Sequence, residues 1–85
     1  MRVKVLANDS YRILAVMDGD DCPTEIFTLT GEKSTEASRT GLLQMLFVIS
    51  EKGLAGVPSA WMHEVDKERG IYELIKGPLR LFVLV

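Results

Sequence analysis

From Trp61 to the end of the chain, apolar and polar positions alternate in three short runs, Trp61–Val65, Ile71–Lys76 and Leu79–Val85. A charged stretch over 66–70 and the pair Gly77-Pro78 separate them. A period of two bounded by turn residues predicts strands, and three such runs in succession predict an antiparallel meander. Isolated hairpins are barely stable in water, so the meander needs an apolar cover. The preceding segment supplies one, because Leu42, Met45, Leu46 and Ile49 stand at i, i+3, i+4 and i+7, with Leu43 and Phe47 widening the stripe. Ser34-Thr35-Glu36 offers a cap, and Lys52-Gly53 a basic last turn and a glycine stop, which predicts a helix over 35–52. The unbroken apolar run Met45–Ile49 also suits a buried strand, but the caps and the length favour the helix.

Upstream, Val3–Leu6 and Tyr11–Met17 read as strands joined by turn residues at Asn8-Asp9-Ser10. Asp18-Gly19-Asp20-Asp21 ends the second strand. Its carboxylates suggest a calcium loop, yet no glutamate stands at the twelfth position, so a solvated turn is the reading. Pro23 in a first turn with Glu25, and Gly31 as a stop, predict a short helix over 23–30, while Ile26, Phe27 and the threonines keep an extended alternative open. Leu54–Ser59 connects the long helix to the meander. Residues 1–85 form one α+β domain: a small antiparallel-rich sheet with a helical hairpin packed on it.

Composition narrows the functional classes. At 85 residues with 47% apolar and 26% charged side chains, the chain is an ordinary globular domain near the small end of what folds alone. Ten basic and twelve acidic residues give a formal charge of −2, so any nucleic-acid role must rest on a local patch. Cys22 is the single cysteine and cannot form an internal disulfide, which fits a reducing cytoplasm. No zinc spacing, phosphate-binding glycine loop or Ser–His–Asp set is visible, so neither metal nor cofactor is expected. Met1–Ala7 is too short an apolar run for a signal peptide, and no stretch reaches membrane-span length, so no membrane partner is expected. Met1 reads as the initiator; Met17, Met45 and Met62 read as core filling.

The terminal hairpin carries the candidate chemistry. A two-residue loop at Gly77-Pro78 sets Lys76 against Leu79, Ile75 against Arg80 and Glu73 against Phe82. Tyr72, Leu74, Leu81 and Val83 then face the helix. Ile71, Glu73, Ile75, Arg80, Phe82 and Leu84 form the opposite face, where Glu73 and Arg80 become diagonal neighbours. Read plainly, that is a surface ion pair contributing less than about 1 kcal/mol. Read functionally, Arg80 flanked by Ile75 and Phe82 is set to meet a phosphate or a partner's carboxylate. Lys67, Arg69 and Lys76 at the turns extend this to a basic edge, although Glu64, Asp66 and Glu68 stand among them. His63, the one histidine, falls on a strand with Trp61 and Val65 on its face and reads as a structural or rim residue.

The run Ile71–Phe82, IYELIKGPLRLF, resembles the RelE/ParE toxins of toxin–antitoxin systems, in their HigB-like, phage-related branch. Tyr72-Glu73-Leu74 matches the family's first motif strand and Arg80-Leu81-Phe82 its second. Ile75 holds the place of the family's first motif arginine, with Lys76 beside it. Members usually continue beyond the position of Val85. The resemblance implies a RelE-like fold and cleavage of messenger RNA on the ribosome by an endoribonuclease of the mRNA interferase type, or an inactive relative of one. It further implies a cognate antitoxin as partner. On that reading Arg80, Lys76 and Glu73 form the catalytic set and Lys67, Arg69 and Arg80 bind RNA. The rival reading is a non-catalytic module that forms a homodimer or binds a protein through its terminal strand, Leu81–Val85.

Overall fold

In the computed structural model, which describes residues 2–84, five strands and two α-helices are arranged as an α+β domain. Met1, and Val85 at the end of the predicted last strand, lie outside the described residues. Strands β1 (Val3–Asn8) and β2 (Arg12–Val16) form an antiparallel hairpin with a bulge between Val5 and Ala7. Helices α1 (Pro23–Leu29) and α2 (Glu36–Lys52) follow, joined by a 3-10 turn at Lys33–Thr35. Then β3 (Met62–Asp66), β4 (Ile71–Lys76) and β5 (Leu79–Leu84) form the expected meander in the order β3-β4-β5. The antiparallel sheet expected from the pattern is thus two sheets, one of two strands and one of three.

Helix α2 is the hub. Leu42, Met45, Leu46 and Ile49 are all buried and meet Val57 and the fully buried Leu74 of β4. The stripe is narrower than the sequence suggests, because Phe47 is exposed. Gly53, with φ +79, terminates α2 and donates its N–H to the Ile49 carbonyl at 2.8 Å. The residues at the two helix N-termini, Cys22 and Thr35, make no side-chain bond to the helix amides. Thr35 instead donates its hydroxyl to the Glu32 carbonyl (3.0 Å) and accepts Arg39 Nε (3.1 Å), while Arg39 Nη2 donates to the same carbonyl at 2.9 Å. Arg39 is buried on these bonds and fixes the link between the helices. Helix α1 ends one residue before the predicted Thr30.

A polar clip ties the first hairpin to α2. Tyr11 donates its N–H to the Ser50 carbonyl (2.8 Å), one of the acceptors a helix end leaves free. The Ser50 hydroxyl donates to the Tyr11 carbonyl (2.6 Å) and accepts the Asp9 N–H (3.0 Å). At the other end of β1, Lys4 Nζ donates to Glu25 Oε1 on α1 (2.9 Å), a bond that raises the lysine above its ordinary 10.5. Met45 is buried and Met62 packs on the core, as expected, with Met17 half-buried.

Candidate functional site

The β4–β5 hairpin has the predicted register: Lys76 pairs with Leu79, Ile75 with Arg80 and Glu73 with Phe82. Gly77 takes φ +58, which a type II′ two-residue turn requires at its first central position, and Pro78 follows it. Leu79, Leu81 and Val83 pack on the core beside Leu74, leaving the opposite sheet face open.

Glu73 sits at the centre of that open face. Its Oε1 is 3.0 Å from Arg80 Nε and its Oε2 4.0 Å from Nδ1 of His63, the residue opposite it on β3. The Glu73 side chain is 18% exposed, against 46% for Arg80 and 69% for His63, so a shielded carboxylate spaces two accessible side chains. Arg80 Nη1 donates to the carbonyls of Gly77 (3.0 Å) and Leu79 (3.1 Å). With Nε and Nη1 engaged, Nη2 makes no hydrogen bond among the described residues, and the guanidinium is held in one pose by its own hairpin. The arrangement can offer an oriented donor to an anion beside an imidazole able to take or give a proton.

The structure separates Lys76 from this row. Residues 74 and 76 share the helix-facing side of β4, and Lys76 Nζ lies 4.1 Å from the centroid of the Trp61 ring, a cation–π contact. Its stem runs over Gly41 of α2, where a Cβ would stand 2.8 Å from Lys76 Cγ and Cε. Arg80, on the next outward position across the hairpin, shares no face with it. Trp61 also departs from expectation: it belongs to a 3-10 turn, Ser59–Trp61, and turns to the helix side rather than sharing the face of His63.

Lys67 and Arg69 are exposed in the β3–β4 turn, where Arg69 Nε is 3.6 Å from Asp66 Oδ2. Four residue steps along β4, about 13 Å at strand rise, separate Ile71 beside that turn from Ile75 opposite Arg80. The predicted basic edge is therefore two sites at opposite ends of one strand. His63 is the residue that sequence reasoning left out of the set. Its pairing with Glu73 depends on the bulge between Glu64 and Asp66, without which the Asp66–Ile71 register would set His63 against Leu74.

Among the described residues, no three His, Cys, Asp or Glu side chains group as a metal site. Asp18 and Asp21 exchange backbone bonds (2.7 and 2.9 Å) in a tight turn, as the solvated-turn reading expects. No helix is long and apolar enough to cross a membrane among the described residues. Compared with known proteins, the chain matches no family model, no curated protein and no solved structure.

Proposed function

We propose that the open face of the β3-β4-β5 sheet binds RNA and that the chain is a toxin domain of the RelE/ParE type. The observation that carries this reading is the row His63–Glu73–Arg80 across three strands, on the hairpin where the family resemblance falls. Arg80 holds a phosphate oxygen through Nη2, and Glu73 fixes the guanidinium. His63 takes the proton of the 2′-hydroxyl as that oxygen bonds to phosphorus; the bond to the 5′-oxygen breaks, leaving a 2′,3′-cyclic phosphate, and water protonates the departing oxygen. Phe82, 60% exposed on the same face, offers a surface on which a base can stack. Lys76 supports the fold and takes no part.

The test is expression of the chain in bacteria, with growth and translation followed beside Arg80→Ala, His63→Ala and Lys76→Ala. Arrest that the first two relieve and the third retains is expected. Binding of purified protein to single-stranded RNA should fall about 10- to 100-fold in Arg80→Ala, the loss of a charged hydrogen bond. The slope of log affinity against log salt should shrink by about 0.7, one phosphate contact. An unchanged slope, or arrest that survives Arg80→Ala, refutes the site.

A further inference from the structure

A groove of about 610 Å³ separates the two sheets, floored by Leu46 and Ile49 of α2. Four successive residues of β2, Ile13–Val16, line one wall, and four successive residues of β5, Leu81–Leu84, line the other. A strand that borders a space with its face contributes alternate residues; one that borders it with its edge contributes consecutive ones. Both walls are therefore strand edges, and each strand is paired on its other side only, β2 with β1 and β5 with β4.

The turn geometry fixes which main-chain groups face the groove from β5. The type II′ turn makes Lys76–Leu79 a hydrogen-bonded pair, so alternation directs Leu81 and Val83 toward β4. Phe82 and Leu84 direct their N–H and C=O groups into the groove. A four-residue strand fills a slab about 13 Å long, 4.8 Å wide and 10 Å deep, on the order of 600 Å³. The groove has volume enough for one further strand.

We infer that this groove receives a single extended segment of a partner protein, which pairs with β2 and β5 at once and joins the two sheets into one. An occupant with two partners must have two free edges. A folded second copy has none to offer, since β1, β2, β3 and β5 each have one edge already paired and β4 has both. The side chains define the segment's chemistry. Its helix-facing residues meet Leu46 and Ile49; its outward residues lie between Leu14 and Val16 on one side and Phe82 and Leu84 on the other, all four exposed. The segment is apolar on both faces. Lys52, the one charged residue of the lining, adds a preference for a carboxylate at the end near the α2 terminus. This inference meets the RNA reading only at Phe82, whose ring lies on the open face while its main chain lies on the edge; Leu14→Lys, on the other wall, tests the edge alone.

The experiment uses a fluorescent peptide of six valine, isoleucine and threonine residues ending in glutamate, kept soluble by a polyethylene glycol tail. Binding is followed by anisotropy, and amide exchange is mapped with and without peptide. Saturable binding with slowed exchange in both Ile13–Val16 and Leu81–Leu84 is expected. Phe82→Pro, which removes an N–H aimed into the groove but none that bonds β4, should weaken binding at least tenfold. Leu14→Lys on the opposite wall should do the same, while Phe47→Lys on the far side of α2 should not. All three variants are first matched to the parent by circular dichroism and thermal melting. Absence of saturation at millimolar peptide, or protection of only one wall, overturns the inference. So does sedimentation as a dimer whose protected amides are these same two strands, which would make a swapped second copy the occupant.

Discussion

Ser50 shows how one small residue holds two elements together. Its hydroxyl donates to the Tyr11 carbonyl and accepts the Asp9 N–H, and the side chain is almost wholly buried. Ser50→Ala removes an acceptor and a donor at once and leaves Asp9 N–H and Tyr11 C=O with only the long bond of 3.4 Å between them. Losses of that kind cost about 1–3 kcal/mol. The expected outcome is an unfolding free energy in urea lowered by that amount, with amide exchange accelerated at Asp9 and little changed at the far strand ends. Threonine at the same place keeps the hydroxyl and should retain most of the stability. Equal losses in the two variants would assign the effect to packing rather than to the clip.

Between elements, the contact of α2 with β4 is set by a missing side chain. Gly41 lets the Lys76 stem lie across the helix and bring its ammonium over Trp61. In an ordinary helix interior, Gly→Ala gains about 1 kcal/mol. Here the added methyl meets the lysine stem near its root as well as near its end, so Lys76 must leave the indole. Gly41→Ala is expected to gain nothing, or to destabilise, in the parent, and to stabilise by about 1 kcal/mol when Lys76 is alanine. Thermal melting of the four proteins of this cycle measures the coupling, and additivity would remove the argument. The same contact marks the limit of what the sequence alone makes legible. The β4–β5 register could be read because turn chemistry and a period of two act over neighbouring residues, and the Glu73–Arg80 pair came with it. The long helix followed from its stripe and from Gly53. The side taken by Lys76 was open to the same alternation, but the basic residues of one turn invited grouping by nearness in sequence. The direction of Trp61 was not legible, since a 3-10 turn breaks the period that would have placed it. The division into two sheets depends on which strand edges meet, a long-range matter that no local pattern carries.

For the whole molecule, that division sets how stability is shared. Among the described residues the sheets exchange no ladder of their own; the first hairpin reaches the rest through α1, through Leu6 and Ile13 at the margin of the core and through the Ser50 clip, whereas β4 closes the core on α2 with the fully buried Leu74. A domain of this length has a total stability of roughly 4–13 kcal/mol. Leu74→Ala empties a fully buried site and should cost about 2–5 kcal/mol, a large share of that total. The loss should not fall evenly. Amides of α2 and β4 exchange only when the common core opens, so their protection should drop by the whole of the measured change in unfolding free energy. Amides of β1 and β2 have a cheaper route, release of the hairpin from the clip with the core intact, and opening free energies of such units lie below the global value. Their protection should drop by less, until the mutant's global stability falls below the cost of that local release. Native-state hydrogen exchange of parent and variant separates the cases. A uniform drop over all strands would mean that the two sheets open only together. A graded one would mean that α2 with β3-β4-β5 is the folding unit, and that the first hairpin is an attached flap whose free edge stays available for pairing.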